Sequence, residues 1–252
     1  ALLPLALLVV VALTVRGFPR HAGVRAVGQT AADADLKEHG MTLHQAVRTR
    51  TFWAICISGF LTYFAIFGFV QHLVLHMTKS LGYTLQDAAH YLLLFSLLAM
   101  TTKLLGGVVA DRADRRVVFL VSLGIMLGGL LLLSTLDRTW LMPAVVAIGI
   151  GWGALFTLYS MLAVGSFGLR EIGRINGFVN LFETFGVGTG SWLIGWLFDL
   201  TGDYHVPFLV LAGATGVGML LGTQVRNEVE PPRASNAAAP PVPAGIPLKR
   251  PG

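Results

Sequence analysis

The stretch "TTKLLGGVVADRADRR", residues 101–116, decides how the chain is read. A lysine, Lys103, stands inside an apolar run, and the run ends in alternating acids and arginines. The surroundings give the context. The 252 residues are 54% hydrophobic and only 12% charged, with a mean hydropathy of +0.70. Soluble domains carry roughly a quarter charged residues. The apolar residues come in blocks of spanning length, which implies an all-α integral membrane protein.

Working outward from 101–116, six full blocks appear, at 52–77, 88–110, 117–136, 141–164, 175–200 and 206–223. Each is near the ~20 residues an α-helix needs to cross a bilayer. Residues 1–15, "ALLPLALLVVVALTV", are apolar but shorter. They lack an initiator Met, a basic leader and a cleavage site, so they read as the end of a truncated transmembrane helix rather than a signal peptide. Residues 16–51 form a polar connecting loop, within which "TLHQAVRTR" predicts a short interfacial helix with Thr42 as N-cap. Residues 52–225 are the six-helix bundle. The Pro- and Ala-rich segment 226–252 predicts a disordered tail.

Alternating the loops places fifteen of the eighteen Lys and Arg on one side, Lys79 and Arg138 on the other, and Lys103 within a span. The positive-inside rule makes the rich side cytoplasmic, and with it the C-terminus. A basic rim facing the lipid bilayer accounts for the net charge of +5 without nucleic acid as a partner. The single cysteine, Cys56, lies in an apolar block and reads as a small core residue.

At the end of the opening stretch, Gly107 predicts close approach of a neighbouring helix. Asp111 ends the second span, Asp114 can cap the third, and Arg112, Arg115 and Arg116 sit where headgroups and both acids are in reach. The order Gly107-Val-Val-Ala-Asp111-Arg112-Ala-Asp114-Arg115-Arg116 resembles the G-x-L-A-D-R-x-G-R-R/K loop of the major facilitator superfamily, with Asp114 replacing a glycine. Two further passages are similar to bacterial members: "VRTRTFWAICISGFLTYFAIFGFVQHLVLHMTKSLGYTLQDAA" to the seventh helix, and "GRINGFVNLFETFGVGTGSWLIGWLFDLTGDY" to the eleventh. The resemblance implies a six-helix half of the fold plus the end of the preceding helix, in the bacterial inner membrane. A missing amino-terminal half would then complete a midplane substrate site. It also implies that Asp111 and the arginines act as a gating latch.

Lys103 lies eight residues before Asp111, about 12 Å deeper at 1.5 Å per residue. A lysine near the bilayer centre costs about 2.5–3.5 kcal/mol on insertion scales, so it faces a cavity or a partner unless it snorkels to the headgroups. Glu183, eight residues into its span, is at matching depth, which suggests an ion pair or a shared cavity. In the monocarboxylate and oxalate–formate branches a basic residue at the place of Lys103 binds the substrate carboxylate. The resemblance thus implies that Lys103 holds a small organic anion. Glu183, where the oxalate-type pattern has a basic residue, implies proton coupling rather than dianion exchange.

Tyr63, Tyr159 and Asn180 are candidate cavity-lining contacts. His72, with Gln71 and His76 at the other end of the first span, is a candidate proton carrier. His72 and His76 lack a third ligand, so no metal is expected. Gly149, Gly151 and Gly153 predict a small-residue packing face. No phosphate-binding loop occurs, so no nucleotide cofactor is expected, and a proton or counter-substrate would drive symport or antiport. An intramembrane serine protease is excluded, because "GSFG" (165–168) lacks the G-x-S-G order and the later His205 lies in the opposite loop. Two other readings stand: an efflux carrier for drugs or other organic solutes, and a non-transporting half-sized membrane partner.

Overall fold

The computed structural model describes residues 40–226 and 228. The expected helix end at 1–15, most of the 16–51 loop and nearly all of the 226–252 tail lie outside those residues.

Polar side chains cap the first five helix starts. Thr42 and Gln45 cap each other reciprocally to open α1, Leu43–Ala46. The interfacial helix is thus a single turn. Thr49 accepts from Phe52 N to open α2, Arg50–Leu75, which runs on into a π-helical turn, His76–Ser80. A second reciprocal box, Thr84 with Asp87, opens α3, Leu85–Arg112. Asp114 opens α4, Arg115–Ser134, accepting from Arg116 N at 2.8 Å. Asp137 caps α5, Arg138–Phe167, and then come α6, Ile172–Thr201, and α7, His205–Gly222. Every helix begins before its apolar block, and α4 and α7 end one or two residues short of theirs.

All six expected spans are helical. Five, counting α2 with its π-turn as one, are long and apolar enough to cross a membrane. The exception is α6, 30 residues long, whose composition is diluted by Asn176, Asn180, Glu183, Thr184 and its glycines.

Packing does not follow chain order. α6 packs on α2, α2 on α7, α7 on α4, α4 on α5, and α5 on α3. α3 and α6 therefore end the series, each with one main neighbour. Only 11% of the most apolar window of α3 is buried, against 61% for Arg50–Ser80.

Glycines make both end seams close. A Cβ at Gly186 or Gly190 of α6 would collide with the α2 backbone at Phe60 and Phe64. A Cβ at Gly153 of α5 would collide with Ala99 and Thr102 of α3. This is the small-residue packing expected between membrane helices. The expected face of Gly149, Gly151 and Gly153 is divided, however. Gly149 and Gly153 meet α3, whereas Gly151 meets Ser122 and Met126 of α4. Residues two apart on a helix point about 200° apart, so one glycine of the three turns to the other neighbour.

Candidate functional site

The α2–α5 seam holds a polar knot. The Tyr159 hydroxyl lies 3.0 Å from Ser58 Oγ and 2.8 Å from Thr62 Oγ1, and Ser58 Oγ donates to the Gly218 carbonyl of α7 at 2.9 Å. Tyr159 is 2% exposed. Tyr159 and Ser58 together tie α5, α2 and α7, which favours a framework role over substrate contact.

Glu183 projects from α6 towards this knot and is 7% exposed. It fits because position 59 is glycine: a Cβ there would stand 3.3 Å from Glu183 Cγ and 3.5 Å from Oε1. Tyr63, one turn on from Gly59, is its polar neighbour. No Lys, Arg or His among the described residues forms an ion pair with it. Among the described residues the ion pair is Arg174–Glu171, at 3.1 Å, so the Lys103–Glu183 pair considered from depth is not formed.

Lys103 is exposed on α3 and turns to α5, where its Nζ lies 3.4 Å from the centre of the Phe156 ring. Phe156 begins a row of aromatic rings. It meets Trp152 edge-on at 6.3 Å, and Trp152 meets Tyr63 and Phe67 of α2 edge-on at 5.0 and 6.5 Å. Tyr63 and Phe67 stack at 6.3 Å. The row thus runs from the lysine towards the carboxylate across α5 and α2. Phe67, Trp152 and Phe156 were missed in the sequence. Their signal was available as aromatic residues four apart on two spans, Tyr63 with Phe67 and Trp152 with Phe156.

Asn180 is exposed on α6, and its carbonyl accepts from Thr184 at 2.8 Å. His72 is at the far end of α2, with Nε2 3.1 Å from the Ser191 carbonyl and Nδ1 3.3 Å from the Tyr204 hydroxyl. Both ring nitrogens are engaged, so the residue ties α2 to α6 and to the α6–α7 turn. His76 is buried between Tyr204 and Phe208 with Nδ1 unpartnered, and Gln71 is exposed. No group of three His, Cys, Asp or Glu suited to a metal occurs among the described residues.

At the turn from α3 to α4, Asp111 and Arg112 are exposed, and neither Asp111 nor Asp114 is ion-paired with Arg112, Arg115 or Arg116. Arg115 instead reaches the last turn of α5, with Nη1 3.6 Å from where a Gly165 Cβ would stand. A cation there meets the negative end of the helix dipole. The close approach expected of Gly107 belongs to its neighbour. A Cβ at Gly106 would be 2.9 Å from Ala154 Cα, whereas one at Gly107 meets nothing within 4 Å. Ser166, in "GSFG", is buried near the start of α4, while His205 Nδ1 is 2.6 Å from the Ser134 carbonyl at its end. The length of α4, roughly 30 Å, separates them.

The fold and sequence both have relatives. By backbone the chain is similar to the POT family transporter PepTSo, with a TM-score of 0.65 at 19% identity over 73% of this chain and 39% of that one. It is similar to the E. coli fucose:proton symporter FucP, with a TM-score of 0.64 at 14% identity over 80% of this chain and 47% of that one. By sequence it is 22% identical to the multidrug transporter protein MdtP of Bacillus subtilis (strain 168) over 171 residues, 64% of this chain and 32% of that protein. The chain therefore spans about a third to a half of the length of these relatives. The family model of the Major Facilitator Superfamily matches residues 1–190 and again 55–251. By that match, which takes in almost every residue, this chain is a member of the Major Facilitator Superfamily.

Proposed function

We propose that the six-helix bundle is one half of a secondary transporter, not an enzyme, that moves a small organic anion of monocarboxylate type. A second six-helix half completes the cavity at the midplane, and protons or a counter-substrate drive the cycle by symport or antiport. The protein lies in the bacterial inner membrane with its C-terminus cytoplasmic, in keeping with the bias of Lys and Arg.

One observation carries the reading. Lys103 is the one Lys or Arg deep within a described span, nine residues from the end of α3, and it is exposed and makes no ion pair among the described residues. A cation kept at that depth has a function by default, and an anionic substrate is the natural partner. Glu183, buried beyond reach of a cation, serves as the proton carrier, with Tyr63 beside it. Tyr159 and Asn180 support the cavity from the knot and from α6, and His72 is a secondary candidate for proton movement. Gly107, Asp111, Arg112, Asp114, Arg115 and Arg116 form the gate, with Arg115 on the end of α5 as a latch that alternation breaks.

The test is uptake of labelled acetate into vesicles holding the protein together with its second half. Lys103→Ala reduces uptake to background while the amount in the membrane is unchanged. Retained uptake overturns the anion reading. A second reading, efflux of drugs or other organic solutes, is favoured by the likeness to MdtP. It predicts that Lys103→Ala leaves export intact.

A further inference from the structure

The proposed site uses a cation and a carboxylate. It leaves unused the aromatic row between them. Phe156 is 44% exposed, and the ammonium of Lys103 lies 3.4 Å from its ring centre. Cations prefer this position because the ring face is electronegative. The ammonium of Lys103 thus already has a partner, a neutral ring. Beyond Phe156 the half-buried ring of Trp152 continues the surface towards Tyr63.

A substrate carboxylate attracts the ammonium more strongly than a ring face does. Its arrival draws Lys103 off Phe156 and bares an aromatic face beside the new ion pair. What fits that face is a flat ring attached to the carboxylate. We infer that the substrate class is the aromatic carboxylates, and that Phe156 sets this specificity, both by seating Lys103 when the site is empty and by stacking on the substrate ring when it is full.

This rests on the proposal that Lys103 binds the anion, and it adds a consequence that proposal lacks. The ring opposes binding of a small carboxylate, which must displace the lysine and returns nothing to the bared face. It favours an aromatic one, which takes the lysine's place. Removing the ring therefore moves two affinities in opposite directions. A residue that merely supported the fold would move them together.

The experiment titrates the purified transporter, this chain together with its second six-helix half, with benzoate and with acetate, following binding by calorimetry. Wild type is expected to bind benzoate at least about tenfold more tightly than acetate. Phe156→Leu should weaken benzoate about three- to tenfold, the scale of one aromatic pair, and tighten acetate about twofold, the scale of an exposed cation–ring contact. Phe156→Trp keeps the ring and should leave the benzoate preference at least as large. A benzoate-to-acetate ratio unchanged in Phe156→Leu overturns the inference, as does failure of wild type to bind benzoate. Lys103→Ala separates the two levels. If it abolishes binding of both ligands while Phe156→Leu leaves the ratio alone, the carboxylate site stands and the aromatic specificity falls. If it leaves acetate binding intact, the anion site itself falls.

Discussion

The seam of α3 on α5 and the seam of α2 on α6 are built alike and carry opposite charges. In each, glycines on one helix bring it against the backbone of the other: Gly153 against Ala99 and Thr102, Gly186 and Gly190 against Phe60 and Phe64. In each, a single charge stands near mid-helix. The outcomes differ. Lys103 remains exposed with its ammonium on a ring. Glu183 is 7% exposed in a space left by Gly59. Equal depth along a helix thus says little about environment. What decides is what the facing helix presents: α5 offers Lys103 the exposed ring of Phe156, whereas α2 offers Glu183 the space at Gly59. A cation left exposed stays available to a ligand. A carboxylate on the seam is removed from water, which is costly unless it is neutralised or paired, and so suits a proton better than a substrate.

The largest effect should come from closing a seam. A leucine at Gly190 has no space, because even a Cβ would collide with the Phe64 backbone. Overpacking of this kind costs about 1–3 kcal/mol, and more where the obstacle is backbone. Gly190→Leu should lower the thermal unfolding temperature in detergent by many degrees or prevent folding. Gly188→Leu, two residues away with nothing within 4 Å, should stay within about 0.5 kcal/mol of wild type. Equal effects of the two would mean that α6 does not pack on α2 through its glycines.

Next in size is the carboxylate. Glu183→Gln keeps the shape and removes the charge. No ion pair is broken, so the loss expected on splitting a buried pair, about 3–5 kcal/mol, should not appear. Stability should change by less than about 1 kcal/mol, while uptake loses its dependence on the proton gradient. A large fall in unfolding temperature would reveal a partner for Glu183 and erase the contrast with Lys103. Unchanged dependence on the gradient would make the residue structural.

Much of this was legible in the sequence because it is local. Six spans follow from apolar length. Thr42 and Asp114 cap the helices that their positions foretell, since a cap needs only a side chain and its next three amides. The charges at Lys103 and Glu183 were conspicuous for the cost of placing them there. What the sequence hid is angular and long-range. Whether Lys103 meets Glu183 or Phe156 depends on α3 packing on α5 and α6 on α2, an order that chain sequence does not follow. The aromatic row is legible as two spaced pairs but becomes one row only when α2 and α5 lie together. The arginines were expected to meet acids, and Arg115 meets a helix end instead, a partner made by structure and not by any residue type.

The smallest effect is the most discriminating for the opening stretch. Gly106 and Gly107 differ by one residue and about 100° of helix. Gly106 faces Ala154, with a Cβ position 2.9 Å from its Cα, and Gly107 faces open space. Alanine at Gly107 should therefore stabilise α3 by about 0.5–1 kcal/mol, the ordinary helical preference for alanine over glycine. Alanine at Gly106 should lose that gain to the contact with α5 and come out net destabilising. Thermal unfolding of the two variants reads the sign of each, and two effects of the same sign would undo the assignment of the seam to Gly106. The resemblance to the family's gating loop, however, runs through Gly107. If Gly107→Ala raises stability yet slows uptake, the glycine is kept for a contact made only during alternation. The cost of keeping it, a less stable α3, would then be the signature of a gate in a helix that the rest of the bundle leaves largely uncovered.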